Sequence, residues 1–553
     1  MRIALLARLL AAYVGLLALA CGVVCQRTRL HPTVRGELIA SVWREGKLVA
    51  RAVLADPTAR DARVEEARAA SGATLVLEEV VAQGPILRAP EILLGLSLVA
   101  GRDGVRATLG DRTAYVTADD LLARQIYDRG EQIQTLTLTL GLDVPKLVYL
   151  LSRRLGVTPQ VVAAQARLER IRTERRGVPE RPRIDARSLS REQVRGAVLA
   201  AAGFLARGLS QDGHYRYVVD ATTNETLPGY DWPRHAGATF FLAQAAALSG
   251  DEAIATASRK AAILMRAEAL GSCGDLVCIA DGSNASLGAS ALALLAYVEI
   301  VQHGIDPSYR TLVVDLARFV RTQQRPDGEF MHYYDRSASR PIDHQGLYYS
   351  SEATLALARA HRITLDPADL EAARRGLANL VGPAWSFFGD RYYFGEEHWT
   401  CQAMAELWPL APDRKALDFC LRWQAFGRVI QQREGDSPFD ADGAVAVGPV
   451  LTPRLTPVAS RCEAAVATLD IARRAGVAAD EIAALDLQIR RALALLARQQ
   501  LLPGPTYLFK SPGSVFGAMP GSEVDWQLRI DYAQHAGSAM VRWLEVTAPA
   551  RRD

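Results

Sequence analysis

A chain of 553 residues, 49% apolar and 23% charged, is too long for one ordinary core and too apolar to be disordered, so two or more globular domains are expected. Its 64 basic and 61 acidic side chains leave a net charge of +3, without the clustered excess basicity of a nucleic-acid binder. At the N-terminus, Arg2 and Arg8 precede an apolar run over residues 9–25, and Arg27 and Arg29 follow it. The run is short for a spanning helix, which needs roughly 20 residues. Its basic start and the Ala18-Leu19-Ala20 before Cys21 also fit a secretory signal. Residues 1–29 are therefore expected to be a cleaved signal or a membrane anchor, with the body of the chain outside the cytoplasm.

The same stretch resembles a bacterial lipoprotein signal, which implies Cys21 as the lipidated residue, although Ala18 and Leu19 depart from the usual pattern. Cysteine usage fits that placement. Cys273 and Cys278 flank a short Gly-Asp loop and are expected to close a small disulfide. Cys401, Cys420 and Cys462 are scattered and read as buried thiols. No CxxC pair and no zinc-type His–Cys spacing occurs, so no metal and no cofactor is expected.

Next in the chain, GELIASVWREGKLVARAVL (36–54) alternates around a Glu-Gly turn and predicts a β-hairpin. RDARVEEARAA predicts a helix, TLVLEEVV a strand, GVRATLGDRTAYVT a second hairpin, TLTLTLGLD another strand and VPKLVYLLSRRLG an amphipathic helix. Residues 30–165 thus form a small α+β domain without a recognisable chemical motif, a candidate for docking a protein partner. The charged, proline-punctuated stretch 166–187 reads as a solvated linker.

From residue 188 to 548 the texture changes to Ala/Leu-rich helical patterns separated by aromatic Gly-Asp loops. VRGAVLAAAGFLARGL leads through a loop to RHAGATFFLAQAAAL, and five similar units follow, the last ending in DYAQHAGSAMVRWLEV. The second helix of each unit is apolar on most faces, and the first is amphipathic. Six such hairpins cannot each bury a core alone. A closed ring with the apolar helices inside satisfies all of them.

YDWPRHAG, YYSSEATLALAR, EEHW and RIDYAQHAGSA resemble the helix-start motifs of bacterial (α/α)6-toroid proteins, over about residues 190–548. That resemblance implies a mainly α fold shared by six-hairpin glycosidases, polysaccharide lyases and sugar epimerases. It is poorly specific for the reaction, because one fold hosts many chemistries.

In such a ring the inner helices run parallel, and their N-termini, with unpaired N–H groups and roughly half a positive charge each, open on one face. The polar residues at those positions are Arg234 with His235, Asn284, Glu352, His398, Arg461 with Glu463, and Asp531 with His535. His235, Glu352, His398, Glu463, Asp531 and His535 are the candidate catalytic residues. A histidine at a helix N-terminus is held toward its neutral form and can accept a proton. Arg234 and Arg461 would favour an anionic group on the ligand. Tyr230, Tyr334, Tyr393 and Trp399 offer stacking surface for sugar rings, as do Tyr215, Tyr217, Tyr333, Phe388 and Tyr392 on the loops. Each residue also has a plainer reading, as a helix cap or a packed polar group, and the shared His-Ala-Gly tripeptides can serve close helix packing alone.

The expected function is an extracytoplasmic carbohydrate-active enzyme acting on an acidic glycan. A hydrolase would use Glu352 and Glu463 as its carboxyl pair with Asp531 in reserve, and an epimerase or lyase would use His235, His398 or His535. The alternative is a non-catalytic glycan-binding or envelope-assembly module. A zinc-dependent cyclase of the lanthionine-synthetase type would need its Cys-Cys-His cluster from His398, Cys401 and Cys462.

Overall fold

The structure, a computed structural model, describes residues 29–548 apart from 34–35, 57, 88–90, 128–141, 178–183, 383–396, 438–439, 446–451 and 503–505. The expectations for Cys21 and the N-terminal apolar run, for the strand TLTLTLGLD up to residue 141, and for Phe388, Tyr392 and Tyr393 lie outside the described residues. Among those described, no helix is long and apolar enough to cross a membrane.

The first domain sets short helices, Ala62–Arg68 and Val144–Leu155 among them, against one antiparallel sheet. Its strands are β1 (His31–Pro32), β2 (Leu38–Arg44), β3 (Lys47–Leu54), β4 (Thr74–Pro85), β5 (Asp103–Leu109), β6 (Arg112–Val116) and β7 (Arg167–Arg176). Their order is β3-β2-β4-β7-β5-β6, with β1 added on β4. The Glu45-Gly46 turn joins β2 to β3 with both residues at positive φ, 49° and 74°, the geometry of a tight hairpin.

The sheet departs from the sequence reading at β7. Residues 167–176, expected in the charged linker, form a strand between β4 and β5. Carboxylates meet several of its charges: Arg170 and Arg172 donate to the buried Asp103 at 2.6 and 2.9 Å, and Arg175 donates to the buried Asp119 at 3.2 Å. A charge run is a surface feature only while its counter-ions are water.

The helical domain alternates outer and inner helices. The outer ones are α1 (Arg191–Arg207), α3 (Glu252–Glu268), α5 (Arg310–Thr322), α7 (Pro367–Leu380), α9 (Arg414–Ile430) and α11 (Ala479–Gln499). The inner ones are α2 (Trp232–Ser249), α4 (Leu287–Gln302), α6 (Tyr349–Thr364), α8 (Glu397–Leu407), α10 (Leu455–Arg474) and α12 (Ile530–Val546). Each inner helix packs on the next, and α12 closes on α2, so the ring is complete. Every residue of α4 from Leu287 to Val301 is buried, as its all-round apolar sequence requires.

Small residues set the spacing where the ring closes. A Cβ on Gly237 of α2 would lie 3.1 Å from Gln534 Oε1 of α12, and one on Gly537 of α12 would strike the Phe241 ring of α2. The two His-Ala-Gly tripeptides therefore face one another across the closing contact.

Among the described residues two large buried clusters fill most of the molecule, beside two small ones within the sheet domain. One joins the sheet domain to hairpins one, five and six, and runs from Trp43 through Tyr507 to Trp543. The other fills hairpins two to four. The sheet domain thus shares its core with the toroid.

Candidate functional site

The N-terminal ends of the inner helices open into one cavity of about 850 Å³. Of the residues expected to converge there, Tyr230, Arg234, Asn284, Glu352, His398, Trp399, Arg461, Asp531 and His535 line it. His235, Glu463 and Tyr334 do not.

His235 is corrected from a candidate base to a buried pin. It is fully buried, its Nε2 lies 3.0 Å from the Ala261 carbonyl oxygen and its Nδ1 lies 2.6 Å from the Tyr230 hydroxyl. A carbonyl only accepts, so Nε2 carries the proton and Nδ1 accepts from Tyr230. Burial pushes its pKa down to about 4, with the Ala261 hydrogen bond opposing. The ring is neutral, but both nitrogens are already engaged, Nε2 by the Ala261 carbonyl and Nδ1 by Tyr230 of the cavity wall.

The contrast with His535 follows from the ring. Gly237 faces Gln534 of α12 and Gly537 faces Phe241 of α2, so each tripeptide turns its glycine to the closing contact. Two residues is about 200° of helix rotation. That rotation sends His235 outward to α3 and sends His535 inward, toward α10 and the cavity.

On α10 the partner is Glu463. Its Oε2 lies 2.6 Å from His398 Nε2 and 2.9 Å from His535 Nδ1. Burial alone would raise the carboxyl's pKa, but the two imidazoles facing it hold it below the usual range. Glu463 is therefore a carboxylate, and each histidine donates one N–H to it. His398 Nδ1 and His535 Nε2 are the ring nitrogens not turned to Glu463. Burial also lowers the His398 pKa, with Glu463 opposing, which keeps that ring neutral near pH 7. The two rings stand 5.1 Å apart, and Trp399 packs 4.1 Å from His398 and 6.0 Å from His535. Among the described residues this trio is the one group of His, Cys and acidic side chains able to hold a metal ion. Ligands at about 2.0–2.1 Å from zinc in a tetrahedron stand roughly 3.3 Å apart, so the direct hydrogen bonds would have to open to admit one.

The charged residues of the cavity are already matched. Arg529 donates to Asp531 at 2.6 and 2.8 Å, and Arg234 reaches Asp531 at 3.3 Å while also pairing with Asp231. Burial would raise the pKa of Asp531, but Arg529 and Arg234 together hold it below the ordinary value. Arg461 lies 3.4 Å from Glu397 and Arg454 lies 3.4 Å from Asp525. Glu352 and Asp281 add two more carboxyl groups to the lining. The arginines expected to attract an anionic ligand are neutralised by their own neighbours.

Position explains the remaining differences. Tyr334 is buried, with its ring 5.8 Å from that of Phe319, while Tyr333 lines the cavity, because successive residues of strand β13 (Tyr333–Asp335) face opposite ways. Helix α10 starts at Leu455, and Pro457 fits its first turn. Arg454 and Ser460 thereby join the wall. Tyr348 lines it from a left-handed backbone, φ 71°, at the start of α6. A Cβ at Gly288 would stand 2.7 Å from Glu352 Oε2, so a glycine in that first turn of α4 admits the carboxyl group. Arg529 and Tyr532, beside the expected Asp531, carried a signal the sequence reading passed over.

The thiols form two disulfides, Cys273–Cys278 and Cys401–Cys420. The second corrects the reading of Cys401 and Cys420 as separate buried thiols and removes Cys401 from any zinc-cyclase cluster. Cys462 is free and buried, and burial pushes its thiol pKa up.

No protein-family model matches the chain, and no curated protein matches it. Among solved structures it is similar to cellobiose 2-epimerase from Bacillus thermoamylovorans B4167, at 10% identity and TM-score 0.50, over 64% of this chain and 98% of that one. D-mannose isomerase follows at 13% identity and TM-score 0.48, over 64% of this chain and 97% of that one. Unsaturated glucuronyl hydrolase from Bacillus sp. GL1 stands at 12% identity and TM-score 0.48, over 64% and 96%. At such identity the likeness speaks for the fold alone: the helical body of this chain is a six-hairpin (α/α)6 toroid, of the kind found in sugar epimerases and glycosidases.

Proposed function

We propose that the cavity carries out proton transfer on a sugar, at the carbon beside its carbonyl, as an epimerase or isomerase does. The observation that carries this reading is the pair of imidazoles sharing one carboxylate, His398–Glu463–His535. Each histidine has one nitrogen committed to Glu463 and one left to take a proton. One imidazole removes the proton next to the carbonyl of an open-chain sugar, and the electron pair passes to the carbonyl oxygen as an enediolate. A proton returned to carbon, from the opposite face or at the neighbouring position, gives the epimer or the isomer. Protons and electrons balance without an oxidant.

A hydrolase reading loses its pair, because Glu463 is buried between two histidines and does not line the cavity. Asp531 is held ionised by two arginines and is a poor proton donor. The cavity aromatics, Tyr230, Trp232, Tyr333, Tyr348, Tyr349 and Trp399, supply stacking surface for a sugar ring. The matched arginines favour a neutral sugar over the acidic glycan expected from sequence. Two disulfides and the N-terminal apolar run support an oxidising, extracytoplasmic location.

The test is incubation of the chain in D2O with D-mannose, cellobiose and D-glucuronic acid, read by NMR. Deuterium at the carbon beside the carbonyl, with a new epimer or isomer, is the expected result, and it disappears in His535→Asn. Exchange on glucuronate alone would restore the acidic substrate. Binding without exchange on any sugar would favour the glycan-binding module. Activity that tracks bound metal would overturn the proton-transfer reading of the trio.

A further inference from the structure

The sheet domain contributes no residue to the cavity, among those described. Yet it grips a long loop that ends in Arg529, a residue of the cavity wall, and whose Asp525 pairs with another, Arg454. We infer that the domain is a brace for residues 506–529, and that Asp119 and Tyr507 are positioning residues for the candidate site.

On the sheet-domain side, the Tyr507 hydroxyl donates to Asp119 Oδ2 at 2.5 Å, and Arg175 of β7 holds the same carboxylate. Both Asp119 and Tyr507 are buried, and the Tyr507 ring lies 5.9 Å from Trp43 of β2. The β2–β3 hairpin tip sits so close that a Cβ on Gly46 would lie 3.0–3.1 Å from Thr222 O, Leu508 O and Lys510 N. At a second point, a Cβ on Gly101 would lie 3.0 Å from Val524 Cγ1. Both glycines have positive φ, so neither position admits a side chain without strain.

On the cavity side, the residue after Val524 is Asp525, whose carboxylate stands 3.4 Å from Arg454. Gly521 accepts the Leu455 N–H at 3.0 Å, which ties the loop to the first turn of α10, the helix of Glu463. The loop ends in β15 (Gln527–Arg529), which pairs with β8 (Val218–Asp220) and delivers Arg529 to Asp531 at the start of α12, the helix of His535. The loop therefore carries sheet-domain contacts on one edge and the placement of Arg454, Arg529 and Asp531 on the other. A free loop of this length would cost ordering entropy and leave those charges unplaced.

The inference concerns the candidate cavity, but its first test needs no sugar. Hydrogen exchange read by mass spectrometry on the full chain is compared for the parent, Tyr507→Phe and, independently, Asp119→Asn. Exchange is expected to rise in peptides spanning 521–535 and 454–463 while α3 and α5 stay as in the parent. A rise confined to 506–510 and the sheet domain, or spread evenly over the chain, overturns the brace. On any sugar that turns over, Tyr507→Phe is expected to lower kcat about tenfold and to leave KM within about twofold, because the aromatic walls that bind lie on other hairpins. An unchanged kcat overturns the inference too. Absence of turnover in the parent would count against the proton-transfer reading alone, since exchange reports on the brace by itself.

Discussion

The two ends of the inner ring both carry buried charged residues and use them in opposite ways. At the C-terminal end, Arg359 of α6 donates to Glu299 of α4 at 2.6 Å and to Glu406 of α8 at 3.2 Å, and Arg362 and Arg542 also reach Glu406. Arg359 lies against the Phe240 ring and is buried. That end is sealed, and its charges tie four inner helices together. At the N-terminal end the same helices open on an 850 Å³ cavity, and the central carboxylate faces two imidazoles in place of arginines. A guanidinium does not give up its proton near pH 7, whereas an imidazole does. The sealed end is therefore structural, and the open end is able to do chemistry.

Four variants test this contrast. The largest effect is expected at the sealed end. Arg359→Ala leaves Glu299 and Glu406 buried without their shared partner and should destabilise the fold by about 3–5 kcal/mol in chemical denaturation. A loss under about 1 kcal/mol would mean that water enters this end as well.

At the open end the effect should fall on rate. Glu463→Gln removes the charge that orients both imidazoles and is expected to lower kcat about a hundredfold, on the order of 2.7 kcal/mol. The acid limb of the pH–rate profile should lie below pH 6.5, because His398 is held toward its neutral form. Glu463→Gln takes away the term that raises the imidazole pKa, so the limb should move further to acid. A limb that moves to alkali, or a rate that survives unchanged, would show that Glu463 does not act through the histidines.

The smallest effect separates the two His-Ala-Gly histidines. Tyr230→Phe strips the donor from His235 Nδ1 and should cost about 1 kcal/mol of stability. His235 also leaves a pH signature. Its folded pKa of about 4 lies below the ordinary 6.5. Between those values the unfolded chain binds a proton that the native fold refuses, so stability falls as pH drops through that window. His235→Gln should remove that part of the slope, and an unaltered slope would mean the ring is reached by solvent.

Much of the architecture was legible. Apolar all-round helices alternating with amphipathic ones announced the ring, and the polar residues at the helix starts named most of the wall, from Arg234 to His535. What failed did so for definable reasons. The arginines of β7 looked solvated because their partners, Asp103 and Asp119, come from elsewhere in the chain. Tyr334 was preferred to Tyr333 because a pleat cannot be phased from two adjacent tyrosines. Cys401 and Cys420 sit on neighbouring helices, and no local spacing ties them into a disulfide.

The sequence by itself determined the periodicities, and with them the six hairpins, the inner and outer faces, and the presence of imidazoles and carboxyls at one end. Those properties are local, since a helix buries whichever stripe its own residues make apolar. Only the tertiary structure decided which imidazoles face the cavity. Rotation about each helix axis is set by contacts with a neighbour, Gly237 on Gln534 and Gly537 on Phe241. It turned one of two identical tripeptides into the protein wall and the other toward Glu463.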